Sequence, residues 1–318
     1  MEREEQKTLN TNLEEPLGFD REMFKLSIII LNYNTKNLVL KCIRGINDKY
    51  SEQLKNNEFE IIVVDNNSSD DSVAQISRLR QDYGGQANLK LIKNEKNLGF
   101  SKGCNAGAWE ARGENLLFLN SDIEVSSGGF LEMVQLLERQ EKIGILGGRL
   151  LNPDGSSQLS AGKFYTLINF ILMIAGLERF ASLRKSPKEI TKVDWVSGAC
   201  LMIKKSLFDK LKGFDEQIFM YTEDMELCFR AGKIGFLTYF YPNISLVHKE
   251  HASSSRSFAI IHIYHGILHF YKKHKSYWQY LMVKSLLITK ALIAVCIGTM
   301  TNNNYLKKSY GEALRISL

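Results

Sequence analysis

The chain's strongest constraint is a repeated alternation of apolar runs and polar breaks. Residues 26–31 read Leu-Ser-Ile-Ile-Ile-Leu, short, unbroken and β-branched, the pattern of a strand buried on both faces. The run stops at Asn32-Tyr33-Asn34-Thr35, and helical spacing follows over 38–46. Residues 59–64 repeat the apolar run and end at Asp65. Asn66-Asn67-Ser68-Ser69-Asp70-Asp71 then makes a dense turn and capping signal before a helix over 72–80. A third strand is predicted at 89–92 and a glycine-spaced turn and helix at 97–112. A fourth strand, at 115–119, ends at Asn120-Ser121-Asp122. This alternation predicts an α/β fold with βαβ units and a mainly parallel central sheet flanked by helices.

Beyond residue 125 the pattern loosens. Strands are predicted at 143–151, 199–204, 236–241 and 244–247, and helices at 130–140, 207–211 and 222–231, the last with Thr222 as a good N-cap. Residues 164–177 carry no charge, and everything from 258 onward reads as helical. The polar, acidic tail over 1–25 shows neither a buried strand nor a strongly periodic helix and is expected to be solvated and flexible. It lacks the basic start and apolar core of a signal peptide. The 5 cysteines are Cys42, Cys104, Cys200, Cys228 and Cys296. They form no CxxC pair, which argues against a zinc ribbon or disulfide framework and for a reducing, cytoplasmic setting. With 44% hydrophobic and 24% charged residues, a mostly disordered chain is excluded.

No GxGxxG follows the first strand and no GxxxxGK[ST] occurs, so a dinucleotide-binding or P-loop protein is disfavoured. In open α/β sheets, ligands nonetheless bind beyond the carboxyl ends of the strands. Polar clusters stand at such ends here: Asn32-Tyr33-Asn34, Asp65-Asn66-Asn67 and Asn120-Ser121-Asp122. An aromatic ring, a carboxylate that accepts from a base N–H, and a second that holds a hard cation suit a nucleoside diphosphate. The same residue types also favour turns without any ligand. Glu223-Asp224 follow Thr222 at a predicted helix start, where they serve either the helix dipole or, in a pocket, general-base chemistry. His248 ends a strand-like run, with His251 three residues on. His262, His265 and His269 share one helix face, with no Cys, Asp or Glu to complete a zinc set; a packing face or a polar face toward a phosphate-bearing partner fits them better.

Taken together and in order, these segments resemble glycosyltransferase family 2, closest to its rhamnosyltransferase-like branch. The resemblance covers residues 26–255. It is carried by Ser27–Asn34 (SIIILNYN), Val63–Asp70 (VVDNNSSD), Asn97–Asn105 (NLGFSKGCN) and Phe118–Asp122 (FLNSD), then by Ser197–Cys200 (SGAC), Gly213–Glu216 (GFDE) running into Tyr221–Asp224 (YTED), and His248. It implies the GT-A nucleotide-diphospho-sugar transferase fold, with a nucleotide-sugar-binding half over 26–125 and an acceptor-binding half over 126–255. It further implies that Tyr33 and Asp65 contact the nucleobase and ribose, with Asn97, Asn34 and Ser121 on the donor side. Asp122 would hold Mg²⁺ or Mn²⁺. The chain departs from the DxD metal motif, because Asn120 stands at the first acidic position, which makes His248 the candidate second ligand. Asp224 would be the catalytic base, with Glu223 beside it.

The activity implied by this resemblance is that of an inverting, metal-dependent sugar transferase. The branch favours L-rhamnose from dTDP-L-rhamnose. The expected acceptor is a glycan hydroxyl, polyprenyl-diphosphate-linked, in bacterial surface polysaccharide synthesis. The alternatives are a UDP- or GDP-sugar donor, or a non-catalytic nucleotide-sugar-binding protein. A nucleotidyltransferase would carry a glycine-rich, basic phosphate loop after the first strand, which residues 32–37 are not. The basic excess is confined to the C-terminal part: residues 248–318 hold ten Lys/Arg against Glu250 and Glu312, within a chain of net charge +6. That distribution disfavours a nucleic-acid partner and suits an anionic membrane surface. Residues 281–300 are apolar but interrupted by Lys284 and Lys290, which predicts an interfacial helix rather than a span, within a basic helical extension over 256–318. The expected location is therefore peripheral, on the inner face of the cell membrane. A homo-oligomer stays open.

Overall fold

The computed structural model describes residues 24–82, 88–177, 180–249 and 255–318. The predicted flexible tail lies outside them except for its last two residues, which belong to the fold. Phe24 is buried beneath the Arg112 guanidinium, 4.3 Å from its ring centroid, and the Lys25 N–H donates to the Glu58 carbonyl at 2.8 Å.

The first half follows the predicted alternation: β1 (Leu26–Asn32), α1 (Lys36–Lys55), β2 (Phe59–Asp65), α2 (Ser72–Asp82), β3 (Leu89–Lys93), α3 (Gly99–Trp109) and β4 (Asn115–Asn120). Next come β5 (Ile123–Val125), α4 (Phe130–Arg139), β6 (Ile143–Leu151), β7 (Ala161–Gly162), α5 (Leu167–Ile174), β8 (Arg184–Lys185), β9 (Thr191–Val193) and β10 (Trp195–Val196). The sheet-bearing unit closes with β11 (Cys200–Lys204), α6 (Lys205–Lys210), α7 (Glu223–Lys233) and β12 (Leu237–His248), and three helices follow: α8 (Arg256–His274), α9 (Tyr277–Met300) and α10 (Asn304–Ser317). The central sheet runs β3-β2-β1-β4-β11-β6-β12-β5, with β9 also on β12. β3, β2, β1 and β4 are mutually parallel; β11 enters antiparallel between β4 and β6.

Register positions the site. Asn32 pairs with Asp65, and Leu31 with Asn120, so the three polar clusters leave the sheet side by side. The alternation of each strand feeds two cores. Ile28, Ile30, Val63 and Leu119 pack with α1 and α4, whereas Ile29, Val64 and Phe118 belong with α3, Phe208 and Phe214 to a second cluster that extends to residues of α8 and α9. Ile267, Phe270, Val283 and Leu287 are all buried in that second cluster. At about 1.5–3 kcal/mol per buried large apolar side chain, these residues hold α8 and α9 firmly to the cluster on the α3 side of the sheet.

Two local expectations change, and one small sheet is added. The strands predicted at 236–241 and 244–247 are one strand, β12, with a register shift between Tyr241 and Ser245. Pro242 has no N–H to give the ladder, so the pairing bulges there instead of ending. A small sheet, β10-β7-β8, has strands too short to show any period. Thr222 does not cap α7: it lies in the left-handed region at φ 71, and its hydroxyl donates to the Tyr221 carbonyl.

Candidate active site

The strand ends enclose a cavity of about 320 Å³, lined on one side by Tyr33, Asn66, Asn97, Ser121 and Asp122 and on the other by Phe219, Met220 and Phe258. That volume lies within the range of small-ligand sites. Tyr33 is 37% exposed, a ring offered to a ligand rather than to the core. Asn34 does not line the cavity. It sits at φ 54, and its side-chain carbonyl accepts from the Ser69 N–H at 2.7 Å while its own N–H donates to Ser68 Oγ at 2.9 Å. It clips the loop after β1 to the loop after β2 and so sets the position of its neighbour Tyr33.

Asp65 is 1% exposed, and both carboxylate oxygens are engaged within the protein. Asn32 Nδ2 and Ser68 Oγ each donate to Oδ2 at 2.7 Å, and the Ser68 N–H donates to Oδ1 at 2.9 Å. The residue that lines the cavity from this cluster is Asn66. Its amide donates to the Gly99 carbonyl at 2.9 Å and to Asn97 Oδ1 at 3.2 Å, which brings Asn97 to the same wall.

From Asp65, polar contacts run unbroken to the next strand end. Asn32 Oδ1 accepts from Thr35 Oγ1 at 2.7 Å, and Thr35 Oγ1 lies 2.9 Å from Ser121 Oγ. Beside Ser121, Asp122 Oδ1 is 3.3 Å from His248 Nε2, and Asn120 Nδ2 is also 3.3 Å from that nitrogen. β12 delivers His248 here because its last residues pair with β5, His248 opposite Ile123. Among the described residues no three His, Cys, Asp or Glu converge as a metal set. A magnesium-like ion needs no such cage, because it keeps waters and takes its remaining oxygens from phosphates. Asp122 lines the cavity with His248 beside it, and one carboxylate with a neighbouring imidazole fits that chemistry.

Asp224 flanks the cavity rather than lining it. Gly198 N–H donates to its Oδ2 at 2.9 Å, and the neighbouring Ala199 carbonyl accepts from the Asn120 N–H at 3.1 Å. The β4–β11 pairing therefore sets Asp224 one strand from Asn120 and Asp122. Burial raises the Asp224 carboxyl above the usual range, against the N–H donors of Gly198 and Met225 and the Arg184 charge. Glu223 is raised further, by burial and then by Asp224, and its Oε2 has no hydrogen-bond partner among the described residues. Both carboxyls are raised by burial, and Asp224, unlike Glu223 Oε2, has N–H donors that favour its charged form.

The far wall is the loop before α7. Phe100 N–H donates to the Phe219 carbonyl at 2.6 Å, and that approach requires Gly99. At φ +79, a Cβ on Gly99 would lie 2.4 Å from the Phe219 oxygen. Phe219 stacks on His262 with centroids 4.9 Å apart, and His269 Nε2 meets Asp215 Oδ2 at 2.7 Å. His262 and His269 are thus engaged within the protein, while His265 between them is exposed. His251 lies outside the described residues. Sequence reasoning gives the Phe219-Met220 loop and Phe258 no role, and it names Asn66 only as part of its strand-end cluster. Asn66 carries a signal, since it follows Asp65 at a strand end. Phe258 carries none, because only tertiary packing brings α8 to the cleft.

Parallel strand ends carry polar groups toward a carboxylate–imidazole pair, with a second carboxylate beside them, an arrangement that fits a group-transferring enzyme. The glycosyl transferase family 2 model matches residues 27–212, and the chain belongs to that family. It is 26% identical over 243 residues to N-acetylglucosaminyl-diphospho-decaprenol L-rhamnosyltransferase of Mycobacterium tuberculosis, covering 69% of this chain and 76% of that one. It is 27% identical over 242 residues to rhamnosyltransferase WbbL of Escherichia coli K12, covering 73% and 85%. A mannosyltransferase structure from Pyrobaculum calidifontis, in complex with GDP-Man and Mn²⁺, superposes with a TM-score of 0.56 at 13% identity, covering 93% of this chain and 86% of that one. That likeness gives the GT-A fold.

Proposed function

We propose that this protein transfers L-rhamnose from dTDP-L-rhamnose, with inversion, to a hydroxyl of a polyprenyl-diphosphate-linked glycan in surface polysaccharide biosynthesis. The observation that carries the reading is the placing of Asp122, just past the end of β4, near Asp224, at the start of α7, through the Asn120–Ala199 and Gly198–Asp224 hydrogen bonds. The donor and acceptor classes are supported by the names of the relatives from Mycobacterium tuberculosis and Escherichia coli.

In this mechanism Tyr33, Asn66 and Asn97 hold the nucleoside, Ser121 lies on the donor side, and Asp65 acts through Asn32 and Ser68 by holding the two loops that carry Tyr33 and Asn66. Asp122 and His248 would hold Mg²⁺ or Mn²⁺. When bound, that ion neutralises the charge that builds on the leaving diphosphate. Asp224 accepts the proton of the acceptor hydroxyl as its oxygen bonds to the anomeric carbon and the sugar–phosphate bond breaks. The raised carboxyl is a stronger base than an ordinary one. One displacement inverts the anomeric centre, and no side-chain nucleophile is called for.

A peripheral position on the inner face of the membrane goes with this reading. α9 is 24 residues long and holds an 18-residue stretch with a mean hydropathy of 2.0, long and apolar enough to cross a membrane by length and composition. Its Val283, Leu287 and Ala291 are buried against the protein, while Trp278, Met282, Ser285, Thr289, Ile293 and Met300 form an exposed face without a charge. α5 packs beside it, with Ile168 71% exposed. A helix half committed to its own protein suits lying in the interface better than crossing it. Calorimetry with dTDP, UDP and GDP, each with Mg²⁺ or Mn²⁺, tests the donor assignment. Tightest binding of dTDP is expected, and preference for another base would replace the rhamnose donor.

A further inference from the structure

The ring of His248 is held from behind by a single side chain. Gln158 Nε2 donates to the His248 main-chain carbonyl at 2.9 Å, and Gln158 Oε1 lies 2.9 Å from His248 Nδ1. Both residues are buried. The first bond fixes which end of the amide faces the ring: the NH₂ is committed to the carbonyl, so the oxygen faces Nδ1. An amide oxygen can only accept, so the proton of the neutral imidazole resides on Nδ1. Nε2 is left with its lone pair, facing Asn120 Nδ2 and Asp122 Oδ1 in the cleft. The Asn120 amide matches this, because its N–H can donate to an unprotonated Nε2.

The fold brings Gln158 there by construction. β6 pairs with β12 up to Leu151 opposite Val247. The chain then turns through Asn152–Ser156, closed by Asn152 N–H to the Ser156 carbonyl at 2.8 Å and by Asp154 Oδ1, which accepts from the Ser156 N–H at 2.9 Å. It returns so that the Gln158 N–H donates to the Leu150 carbonyl at 2.9 Å. The turn thus places Gln158 alongside the last residue of β12.

We infer that Gln158 is a positioning residue for the cation: it locks His248 in the Nδ1–H tautomer and aims Nε2 at the ion shared with Asp122. This rests on the reading of His248 as a cation ligand. Imidazole ligands commonly have their second nitrogen held in this way, and loss of such a partner typically weakens metal binding by about 10–100-fold. Gln158 also explains how the chain can manage with Asn120 in place of a second carboxylate, since a tautomerically fixed imidazole supplies the missing donor.

The test uses the full-length protein. Long-range ¹H–¹⁵N spectra of the histidine side chains, with His248 assigned by His248→Ala, report the tautomer; Mn²⁺ binding with dTDP present, followed by electron paramagnetic resonance, reports the site. In the wild type, a protonated Nδ1 and an unprotonated Nε2 are expected. Gln158→Met, similar in size but without the amide, should mix the tautomers and weaken Mn²⁺ by about 10–100-fold. Gln158→Glu retains an acceptor for Nδ1–H and should restore the tautomer and most of the affinity, a rescue that general destabilisation would not give. A proton on Nε2 in the wild type, or a Gln158→Met protein with unaltered tautomer and unaltered Mn²⁺ affinity, would overturn the proposal. If His248→Ala itself leaves Mn²⁺ binding unchanged, the ligand reading of His248 fails, and Gln158's role with it. If His248→Ala weakens Mn²⁺ and Gln158→Met does not, only the role of Gln158 fails.

Discussion

Asp224 and Asp122 carry the chemistry in this reading, and each makes a separable demand. Asp224→Asn should lower kcat by about 10²–10⁴-fold, the scale of general-base loss, while dTDP binding with Mg²⁺ persists. Turnover near the wild-type rate would leave Asp224 as a helix-start residue. Because burial raises the Asp224 carboxyl and the base works only when charged, kcat/KM should fall as pH drops through a value above the ordinary 3.9 or so of Asp. Asp122→Ala should weaken Mn²⁺-dependent binding of dTDP by about 100-fold or more, a full ligand costing at least as much as a second partner, and leave thymidine binding nearly unchanged. Calorimetry with and without Mn²⁺ separates the two. At this scale the sequence was legible where a residue ends a strand. Tyr33, Ser121 and Asp122 line the cavity because parallel strands leave their carboxyl ends, and the residues just past them, on one edge of the sheet. Side-chain direction was not legible. Asp65 turns inward to Asn32 and Ser68, and Gln158, in a plain turn-forming stretch, gains its importance only from the return of the chain to β12.

Among the elements, α8 matters beyond its own packing. It fastens the loop that carries Phe219 and the start of α7. Asp215 Oδ2 meets His269 at 2.7 Å and Lys273 at 2.6 Å, and Glu226 Oε1 meets Lys273 at 2.9 Å and His274 at 2.8 Å. Tyr221 and Thr222 between them sit at φ 66 and 71, a left-handed pair that costs on the order of 1–3 kcal/mol per residue and must be held by its surroundings. Gly266 of α8 presses on that pair: a Cβ there would come within 2.0 Å of Thr222 Oγ1 and 2.9 Å of the Tyr221 carbonyl. Gly266→Ala is expected to destabilise the protein by about 1–3 kcal/mol. It should also lower kcat more than it weakens dTDP binding, since the displaced residues adjoin Asp224 and not Tyr33. Equal kcat in a folded Gly266→Ala protein would show that α8 does not set the base. The acid side has its own sign. Glu226 is held down to about 2 against the penalty of its burial, by His274 and Arg230, and Asp215 is also lowered, by His269 and Lys273. Groups lowered on folding stabilise above the unfolded carboxylate pKa and lose that contribution as pH falls through the folded value. Glu226→Gln should therefore flatten the loss of Tm between about pH 4 and pH 2. An unchanged slope would place the acid sensitivity elsewhere. The repeated helical signal from residue 258 announced α8, α9 and α10. Their docking was hidden, because His269, Lys273 and His274 find their partners 47 residues or more away in sequence.

For the molecule as a whole, the uncharged outer face of α9, the exposed residues of α5 and the Lys/Arg excess of 248–318 make one expectation. Full-length protein should float with anionic vesicles at low salt. Each basic residue near the surface contributes about 1 kcal/mol, and raising salt should release the protein as the Debye length shrinks from about 10 Å at 0.1 M. Replacing Trp278, Ile293 and Met300 by Gln should abolish flotation without lowering Tm, because these side chains already face outward. Wild-type protein that ignores the vesicles and instead self-associates through the same residues would assign the face to a second copy.

The central claim is met most directly by incubating the purified protein and Mg²⁺ with a polyprenyl-diphosphate-linked N-acetylglucosamine acceptor and dTDP-L-rhamnose, UDP-glucose or GDP-mannose in turn, then reading the lipid product by mass spectrometry and its anomeric configuration by NMR. The account predicts addition of one deoxyhexose from dTDP-L-rhamnose alone, with the anomeric centre inverted relative to the donor and no product from Asp224→Asn. Addition of a hexose from another donor, or retention of configuration, or full transfer by Asp224→Asn, would contradict it.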